Sequence, residues 1–218
     1  MEKIYETAYA KINLGLDVLG KRSDGYHEVR MVMQSVGLSD AVEIEEGEGL
    51  VVETDHSGLA GGPDNLAWKA AELLARCCGK IPNVHIRLNK KIFLAAGLAG
   101  GSSDAAAVMR GLSRLWQLDL TAPELEKLAA ELGSDIPFCI TGGTALAEGR
   151  GEILTELPEA PELLLVLAKP KLEVATGWVY GNFRQQKVNQ RPDIDGIIKA
   201  LEQSATGLLL ESCGNVLE

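Results

Sequence analysis

The sequence has little positive charge for its length. Its 218 residues include 21 lysines and arginines against 31 aspartates and glutamates, which gives a net charge of −10. Proteins that bind nucleic acid or an anionic membrane surface need a basic face. We therefore expect neither partner, and an anionic ligand has to be held by local backbone dipoles and a few lysines.

Cysteine, histidine and long apolar runs are also scarce. The four cysteines form no CxxC pair and the three histidines do not cluster, so we expect no metal site of the zinc type. No apolar run approaches the roughly 20 residues of a membrane-spanning helix. The first residues, MEKIYETAYAK, are charged and alternating, unlike a signal peptide. These absences are typical of a cytoplasmic protein with reduced thiols.

Alternation of apolar and polar residues predicts the strands. Residues 4–18 alternate with a period of two, which places Lys11 and Asn13 on one polar face, roughly 7 Å apart. The same reasoning predicts strands in HEVRMVMQSVGL, VEIEE, LVVET and VHIRLNKKI, and a buried strand in LLLVLA at residues 163–168.

Helical spacing of apolar residues predicts helices over residues 65–78, about 103–116 and 194–201. Thr121 and Glu124 form a capping box that starts a further helix, and Gly133 ends it. Residues 158–162 are rich in proline and glutamate, which indicates a domain boundary. Helices mixed with strands that look largely antiparallel indicate two α+β domains, over residues 1–157 and 158–218.

Glycines are concentrated in residues 92–105, IFLAAGLAGGSSDA, between a strand-like run and a helix-like run. The first backbone N–H groups of a helix lack intrahelical partners, and the helix dipole favours negative charge, so this arrangement is typical of an anion site. Ser102 and Ser103 add hydroxyls that can bind phosphate oxygens or Mg²⁺. The spacing fits neither a Walker loop nor a dinucleotide-binding loop. It is equally typical of a tight turn in which Ser103 caps the helix.

Longer stretches of the sequence help to decide between an anion site and a tight turn. Residues 95–107, AAGLAGGSSDAAA, closely resemble the phosphate loop of the GHMP family of small-molecule kinases. Three further stretches resemble one branch of that family: AYAKINLGLDVLGKRSDGYHEV, NLAWKAA and GSDIPF. The matches occur in the family's order and extend from about residue 4 to Glu218.

The resemblance implies a reaction and a fold. The γ-phosphoryl group of ATP, with Mg²⁺, is transferred to a hydroxyl on the methylerythritol part of a cytidine diphosphate ester, in the non-mevalonate route to isoprenoid precursors. The implied fold has an N-terminal domain like domain 2 of ribosomal protein S5, which binds ATP, and a ferredoxin-like C-terminal domain. Residues 1–157 would form the first domain, and residues 158–218 part of the second.

The resemblance also assigns roles to residues. Lys11 matches the family's active-site lysine and Asp135 its catalytic aspartate, while Asn65 matches a residue that lines the adenine pocket. The phosphate loop is matched by Phe93, Leu94, Ala95, Ala96, Gly97, Leu98, Ala99, Gly100, Gly101, Ser102 and Ser103. The positions that hold the cytidyl substrate are matched by Asn13, Tyr26 and His27, and more loosely by Tyr180.

Each of these residues also has an ordinary structural explanation. Lys11 fits a solvated charge on the polar face of a strand, and Asp135 fits a helix N-cap ahead of Pro137. Tyr26 and His27 fit a surface loop, and Tyr180 fits a core aromatic. The agreement of the whole series with the family's order favours the functional interpretation, most strongly for Lys11 and Asp135.

The chain departs from the family's pattern in three places. Phe93 stands where a proline is usual, and Ala95 and Ala99 replace glycines found in some relatives. The chain ends at GNVLE, where relatives continue into a helix and a third glycine-rich motif. From this ending we expect an incomplete C-terminal sheet. A truncated gene product, a fragment and a homodimer that covers the gap are the three explanations.

Two other functions remain open at this point. One is a GHMP kinase of the homoserine or mevalonate type, although Tyr26 and His27 suit a pyrimidine. The other is a non-catalytic form that binds a nucleotide without turning it over.

Overall fold

The computed structural model describes residues 3–172 and 174–217. The strands of this part of the chain are β1 (Lys3–Lys21), β2 (His27–Glu46), β3 (Leu50–Thr54), β4 (Val84–Asn89), β5 (Thr144–Glu148), β6 (Ile153–Glu156) and β7 (Gly214–Asn215). Its helices are α1 (Leu66–Cys77), α2 (Gly100–Leu115), α3 (Ala122–Ala129), α4 (Ile136–Thr141), α5 (Thr176–Asn182), α6 (Ile194–Glu202) and α7 (Thr206–Ser212), with a 3₁₀ turn at Gln185–Lys187.

The described residues form two compact units that interleave along the chain. Unit 1 takes its residues from Met1–Ala10, Val36–Phe93 and Leu98–Thr141. Unit 2 takes its residues from Lys11–Ser35, Leu94–Gly97 and Gly142–Glu218. The long strands β1 and β2 contribute to both units. The domains predicted over residues 1–157 and 158–218 divide the chain in a different way and stay a prediction.

Unit 1 is a sheet covered by helices. In it β3 pairs in parallel with β4, and β4 pairs antiparallel with the second half of β2, where Ile44 lies opposite Ile86. Alternate residues of β2 and β4 point into the core, as the period-two pattern predicts. Helices α1 and α2 pack closely because their buried faces are rich in alanine, with Ala67, Ala70, Ala71, Ala105, Ala106 and Ala107 all inaccessible to solvent.

Unit 2 has a smaller core. The first half of β2 pairs antiparallel with β5, β5 pairs with β6, and β7 pairs in parallel with β1 at Gly15. Helix α6 lies so close to β1 that a Cβ on Gly15 would come within 2.5 Å of the Ile197 side chain. Asp193 caps α6 by accepting the Gly196 N–H at 2.9 Å. The core of this unit is formed by Leu14, Val32, Leu146, Ile194, Ile197, Ala200, Leu201 and Leu209.

Most predicted elements are confirmed, with shifted ends. The stretches HEVRMVMQSVGL and VEIEE lie in the single strand β2 rather than in two strands. The capping box of Thr121 and Glu124 starts α3, and Glu124 accepts the Thr121 N–H at 2.8 Å. Helix α3 ends at Ala129 instead of Gly133, because the following residues form tight turns.

The prediction of a buried strand at residues 163–168 is wrong. This segment forms no strand, and Leu164 and Val166 are 98% and 90% exposed. An apolar run becomes a strand only where its backbone N–H and C=O groups find a neighbouring strand. No strand among the described residues pairs with this segment.

None of the described helices is long and apolar enough to cross a membrane.

Candidate active site

The glycine-rich loop leads directly into α2. The helix begins at Gly100, earlier than the predicted Ser103, and its first intrahelical bond runs from the Ser103 N–H to the Ala99 carbonyl at 2.8 Å. The amides of Gly100, Gly101 and Ser102 precede that bond and can donate to an anion. Gly101 is an exposed residue, so a ligand can approach the chain at this position.

The backbone ahead of α2 is unusual. Ala95, Gly97 and Ala99 all have left-handed conformations, with φ of 50°, 71° and 57°. The left-handed region costs an alanine roughly 1–2 kcal/mol, because its Cβ approaches the following carbonyl oxygen. Proteins retain such strain mainly where a loop has a function, and alternating left-handed residues are found in backbone concavities that bind anions. This geometry supports an anion-binding loop.

Ser103 has a structural role in the described residues. Its side chain is buried, and its hydroxyl donates to the Tyr9 carbonyl at 2.5 Å and lies 3.4 Å from Cys139 Sγ. It therefore links α2 to β1. The alternative in which Ser103 caps the helix is wrong, because the N-cap is Ala99. Of the two serines, half-buried Ser102 is the better candidate to offer its hydroxyl to a ligand.

Lys11 and Asn13 lie on one face of β1, as the alternation predicts. The Lys11 ammonium donates to Asn13 Oδ1 at 3.3 Å. Lys11 is only 4% exposed, so the explanation of a solvated surface lysine is wrong. A buried ammonium is retained in a fold at considerable desolvation cost, which makes such a residue a candidate for function.

Asp135 directly precedes α4 in unit 1. It is half-buried, and its backbone carbonyl accepts the Cys139 N–H at 3.2 Å. The other end of α4 is held by Arg110, which donates to the carbonyls of Cys139 at 2.7 Å and Thr7 at 2.9 Å. The Asp135 backbone is thus fixed on a short, anchored helix. Lys11 belongs to unit 2 and Asp135 to unit 1, and the joint role predicted for them stays a prediction.

Unit 2 brings two of the predicted cytidyl-binding residues together. The rings of His27 and Tyr180 are 5.4 Å apart at an angle of 35°. Phe183 adds a third ring, edge-on to His27 at 6.3 Å. Tyr180 is half-buried on α5, a helix that buries none of its side chains completely, so it is not a core aromatic. Sequence reasoning missed Phe183, although its spacing of three residues from Tyr180 is a signal for a shared helix face.

Tyr26 is exposed next to this cluster in the sequence. The residue is 54% exposed, and the Arg150 guanidinium lies 4.9 Å from the centroid of its ring. Arg150 was not predicted, and only its position in the glycine-flanked turn EGRGE could have suggested it. An exposed ring with one face on a guanidinium can offer its other face to a planar group.

Asn65 caps α1. Its side-chain oxygen accepts the Ala67 N–H at 2.9 Å, and its amide donates to the Ala60 carbonyl at 2.8 Å. These bonds explain why the residue is buried and why α1 begins at Leu66. The role of Asn65 in an adenine pocket stays a prediction.

Comparisons with known proteins identify the class. Residues 65–143, which include α1, the glycine-rich loop, α2 and Asp135, match the model of the GHMP kinases N terminal domain. The fold is the GHMP kinase fold: the structure aligns over 99% of the chain, and 72% of the other chain, with a homoserine kinase from Cytophaga hutchinsonii, at 18% identity and a TM-score of 0.72.

More similar relatives identify the branch. The chain is 48% identical over 219 residues to a 4-diphosphocytidyl-2-C-methyl-D-erythritol kinase from Acetivibrio thermocellus, covering all of this chain and 77% of the relative. A protein of the same name from Geobacillus kaustophilus is 47% identical over 97% of the chain and 73% of its own. A crystal structure of 4-(cytidine 5'-diphospho)-2C-methyl-D-erythritol kinase superposes with a TM-score of 0.77 at 33% identity, over 99% of this chain and 76% of its own. The chain belongs to the 4-diphosphocytidyl-2-C-methyl-D-erythritol kinase family.

Proposed function

We propose that this protein transfers the γ-phosphoryl group of ATP to a hydroxyl on the methylerythritol part of 4-diphosphocytidyl-2-C-methyl-D-erythritol. The observation that carries the proposal is the 48% identity over the whole chain with a kinase named for this substrate. This reaction supplies isoprenoid precursors by the non-mevalonate route.

The start of α2 is the proposed site of the ATP phosphates. The amides of Gly100, Gly101 and Ser102 donate to phosphate oxygens, and the helix dipole adds favourable electrostatic energy. Gly101 is suited to this close approach because it has no side chain and is exposed. Its nearest neighbour would be Leu66, 3.5 Å from an added Cβ.

Asp135 and Lys11 are the proposed catalytic residues. Phosphoryl transfer depends mainly on alignment and on neutralisation of charge. Asp135 accepts the proton of the attacking hydroxyl and orients its oxygen. Lys11 offsets the negative charge on the transferring phosphoryl group, and its bond to Asn13 restricts where the ammonium can go.

Mg²⁺ is proposed as the companion of ATP. When bound, it would supply positive charge that offsets part of the negative charge of the phosphates. No group of three or more His, Cys, Asp and Glu side chains in the described part of the chain is placed to hold a metal ion on its own. This fits Mg²⁺, which is usually held by one or two protein oxygens together with substrate phosphates and water. The Ser102 hydroxyl is the protein oxygen best placed at the start of α2.

The aromatic cluster of unit 2 is the proposed cytosine site. The His27 ring contacts the rings of both Tyr180 and Phe183, and a pyrimidine ring is stacked well by aromatic groups of this kind. The His27 imidazole can hydrogen-bond the polar edge of the base. Tyr26, held by Arg150, offers a further ring face to the same nucleotide, and Asn13 a polar side chain.

A substrate panel tests the proposal. Purified protein is incubated with ATP and Mg²⁺ and with 4-diphosphocytidyl-2-C-methyl-D-erythritol, homoserine or mevalonate, and ADP release is measured by a coupled assay. We expect turnover with the cytidyl substrate alone. Turnover with homoserine or mevalonate instead would contradict the assignment, and ATP binding without any turnover would favour the non-catalytic alternative. Sedimentation of the same preparation tests the predicted homodimer.

A further inference from the structure

Three ionisable side chains are buried together beside the start of α2. The Lys90 ammonium contacts the carboxylates of both Asp40 and Asp104, and all three side chains are at most 2% exposed. All three residues belong to unit 1. Two carboxylates and one ammonium leave a surplus of negative charge, which is costly in a buried site unless one acid carries a proton.

The two acids have different surroundings. Asp40 Oδ1 accepts the backbone N–H groups of Lys91 at 2.5 Å and Ile92 at 2.8 Å, in addition to the Lys90 contact of its other oxygen. Asp104 accepts Lys90 through Oδ2, and its Oδ1 is buried without a hydrogen-bond partner among the described residues. An ionised carboxylate is stabilised by several donors, so the environment of Asp104, with fewer donors, favours its protonated form.

The pKa of Asp104 agrees with this assignment. Burial raises it to about 7, Lys90 opposes that shift, and the neighbouring Asp40 adds to it. These two residues, on β2 and after β4, are the charged groups that act on Asp104. The helices packed against α2 contribute apolar residues to the core, including Ala67 and Ala70 of α1 and Ile136 and Ile140 of α4.

The cluster connects both ends of the loop. Lys90 and the amides bound by Asp40 lie just before Phe93, while Asp104 is the fifth residue of α2. The Lys90 ammonium is 3.7 Å from the point where a Cβ on Gly100 would stand, so it lies directly beside the first residue of the helix. Loss of the cluster would therefore release the two points at which the loop is attached to unit 1.

We propose that Asp40, Lys90 and Asp104 are positioning residues that hold the amides of Gly100, Gly101 and Ser102 in place for the ATP phosphates. The inference rests on the proposed function, because it assigns the ligand of these amides to ATP. Lys90 contacts both Asp40, which binds the Ile92 amide just before the loop, and Asp104, which belongs to α2. One ammonium therefore fixes both ends of the loop.

The two acids should respond differently to the same substitution. Asp40 accepts the Lys90 ammonium and two backbone N–H groups, and Asp104 accepts the Lys90 ammonium, so we expect Asp104→Asn to raise the Kd for a non-hydrolysable ATP analogue less than Asp40→Asn does. Asp40→Asn leaves the Lys90 ammonium without its ionised partner and turns a donor toward backbone N–H groups. We expect its Kd and its KM for ATP to rise by about 10-fold or more, with a smaller change in kcat. Lys127→Met, an exposed lysine of α3, is a neutral control for Lys90→Met, which should behave like Asp40→Asn.

The split between KM and kcat gives a readout that a purely structural role does not change. The cluster is proposed to act on the ATP-binding amides, so Lys90→Met and Asp40→Asn should raise the KM for ATP by about 10-fold or more and change kcat much less. An unchanged KM for ATP in both variants, or a loss confined to kcat, would overturn the proposal. If Asp40→Asn does not fold, Lys90→Met decides alone.

Amide hydrogen exchange separates this proposal from the assignment of function. In nucleotide-free protein, the N–H groups of residues 100–103 should exchange faster in Lys90→Met than in wild type and Lys127→Met. Faster exchange in a protein that does not bind ATP would leave the positioning role intact and reject the ligand. Normal exchange in Lys90→Met, in a protein that binds and uses ATP, would reject the positioning role alone.

Discussion

Two regions of this protein differ in which side chains they bury: one buries ionisable groups, and the other exposes apolar ones. The start of α2, which follows the glycine-rich loop, lies beside three buried ionisable side chains, Asp40, Lys90 and Asp104. The exposed segment, defined here as residues 163–172 and 174–182, leaves Leu164, Val166 and Trp178 in contact with solvent. Burial of charge and exposure of leucine both run against transfer free energies. The buried side chains of the first region contact one another. The exposed segment pairs with no strand among the described residues.

The difference shows that the apolar pattern of a segment does not by itself decide whether its side chains are buried. In the loop, the conformation depends on neighbours in the sequence and on a nearby strand and helix that are themselves easily predicted. In LLLVLA, the apolar run indicates only that burial would be favourable. The strand partner that would make burial possible is not encoded in those six residues.

The largest expected effect is on turnover, at the two residues proposed for catalysis. Asp135→Asn and Lys11→Ala should each lower turnover by about 10²–10⁴-fold, because each removes a group that acts in the transition state. ATP binding should persist in both. The control is Glu162→Gln, the same carboxylate-to-amide change at an exposed residue beside the exposed segment, which should keep its activity. Near-normal turnover of Asp135→Asn would contradict the assignment.

Several parts of the fold and of the candidate site could be predicted from the sequence. The period-two pattern located β1 and placed Lys11 beside Asn13, and the glycines and serines located the loop and α2. The buried state of Lys11 could not be predicted, since strand alternation gives the face of a residue but not what covers that face. The pairing of His27 with Tyr180 joins residues far apart in the sequence, so the family resemblance named both without bringing them together.

The cluster of Asp40, Lys90 and Asp104 shows a further limit of sequence reasoning. Asp40 and Asp104 are far apart in the chain, and each alone resembles an ordinary surface carboxylate. Only the fold places both against one lysine. The strained φ of Ala95 and Ala99 was equally hidden, because alanine gives no warning of a left-handed backbone. The family's glycines at these positions were the one available signal.

A matched pair of leucines tests the difference in burial directly. Leu112 of α2 is fully buried, and its replacement by alanine should lower the free energy of unfolding by about 2–5 kcal/mol. Leu164 of the exposed segment is 98% exposed, and the same change should stay within about 0.5 kcal/mol. Urea denaturation of the purified variants measures both values. A large loss for Leu164→Ala would break the comparison, because it would mean that this side chain is covered in solution.

The buried acid predicts a pH-dependent stability. Asp104 has a pKa of about 7 in the folded protein, above its ordinary value of 3.8. Between these values the unfolded chain releases the proton that the folded protein keeps, so wild type loses stability as pH rises from about 4 to about 7. Asp104→Asn lacks this loss, and its advantage over wild type should grow across that window to the order of a few kcal/mol.

Unfolding experiments at pH 4, 5.5, 7 and 8.5 test this expectation. The difference between Asp104→Asn and wild type should level off above pH 7. Glu162→Gln provides the matched control from the neighbourhood of the exposed segment, and its curve should follow wild type throughout. A constant difference between Asp104→Asn and wild type at all four pH values would show that Asp104 is ionised in the folded protein.

The smallest expected effect concerns the backbone of the two regions. Gly97 in the loop has φ of +71°, while Gly177 in α5 has an ordinary helical backbone, and an added Cβ would meet no atom within 4 Å at either position. Steric contact is therefore equal, and only conformational preference differs. Gly97→Ala should destabilise the protein by about 1 kcal/mol, because the left-handed region disfavours a Cβ. Gly177→Ala should stabilise it by up to about 1 kcal/mol, because alanine favours the helix. Thermal denaturation measures the change in stability of both variants. Changes of opposite sign would confirm that the strain belongs to the loop itself. Changes of the same sign would mean that the loop relaxes from its left-handed conformation in solution.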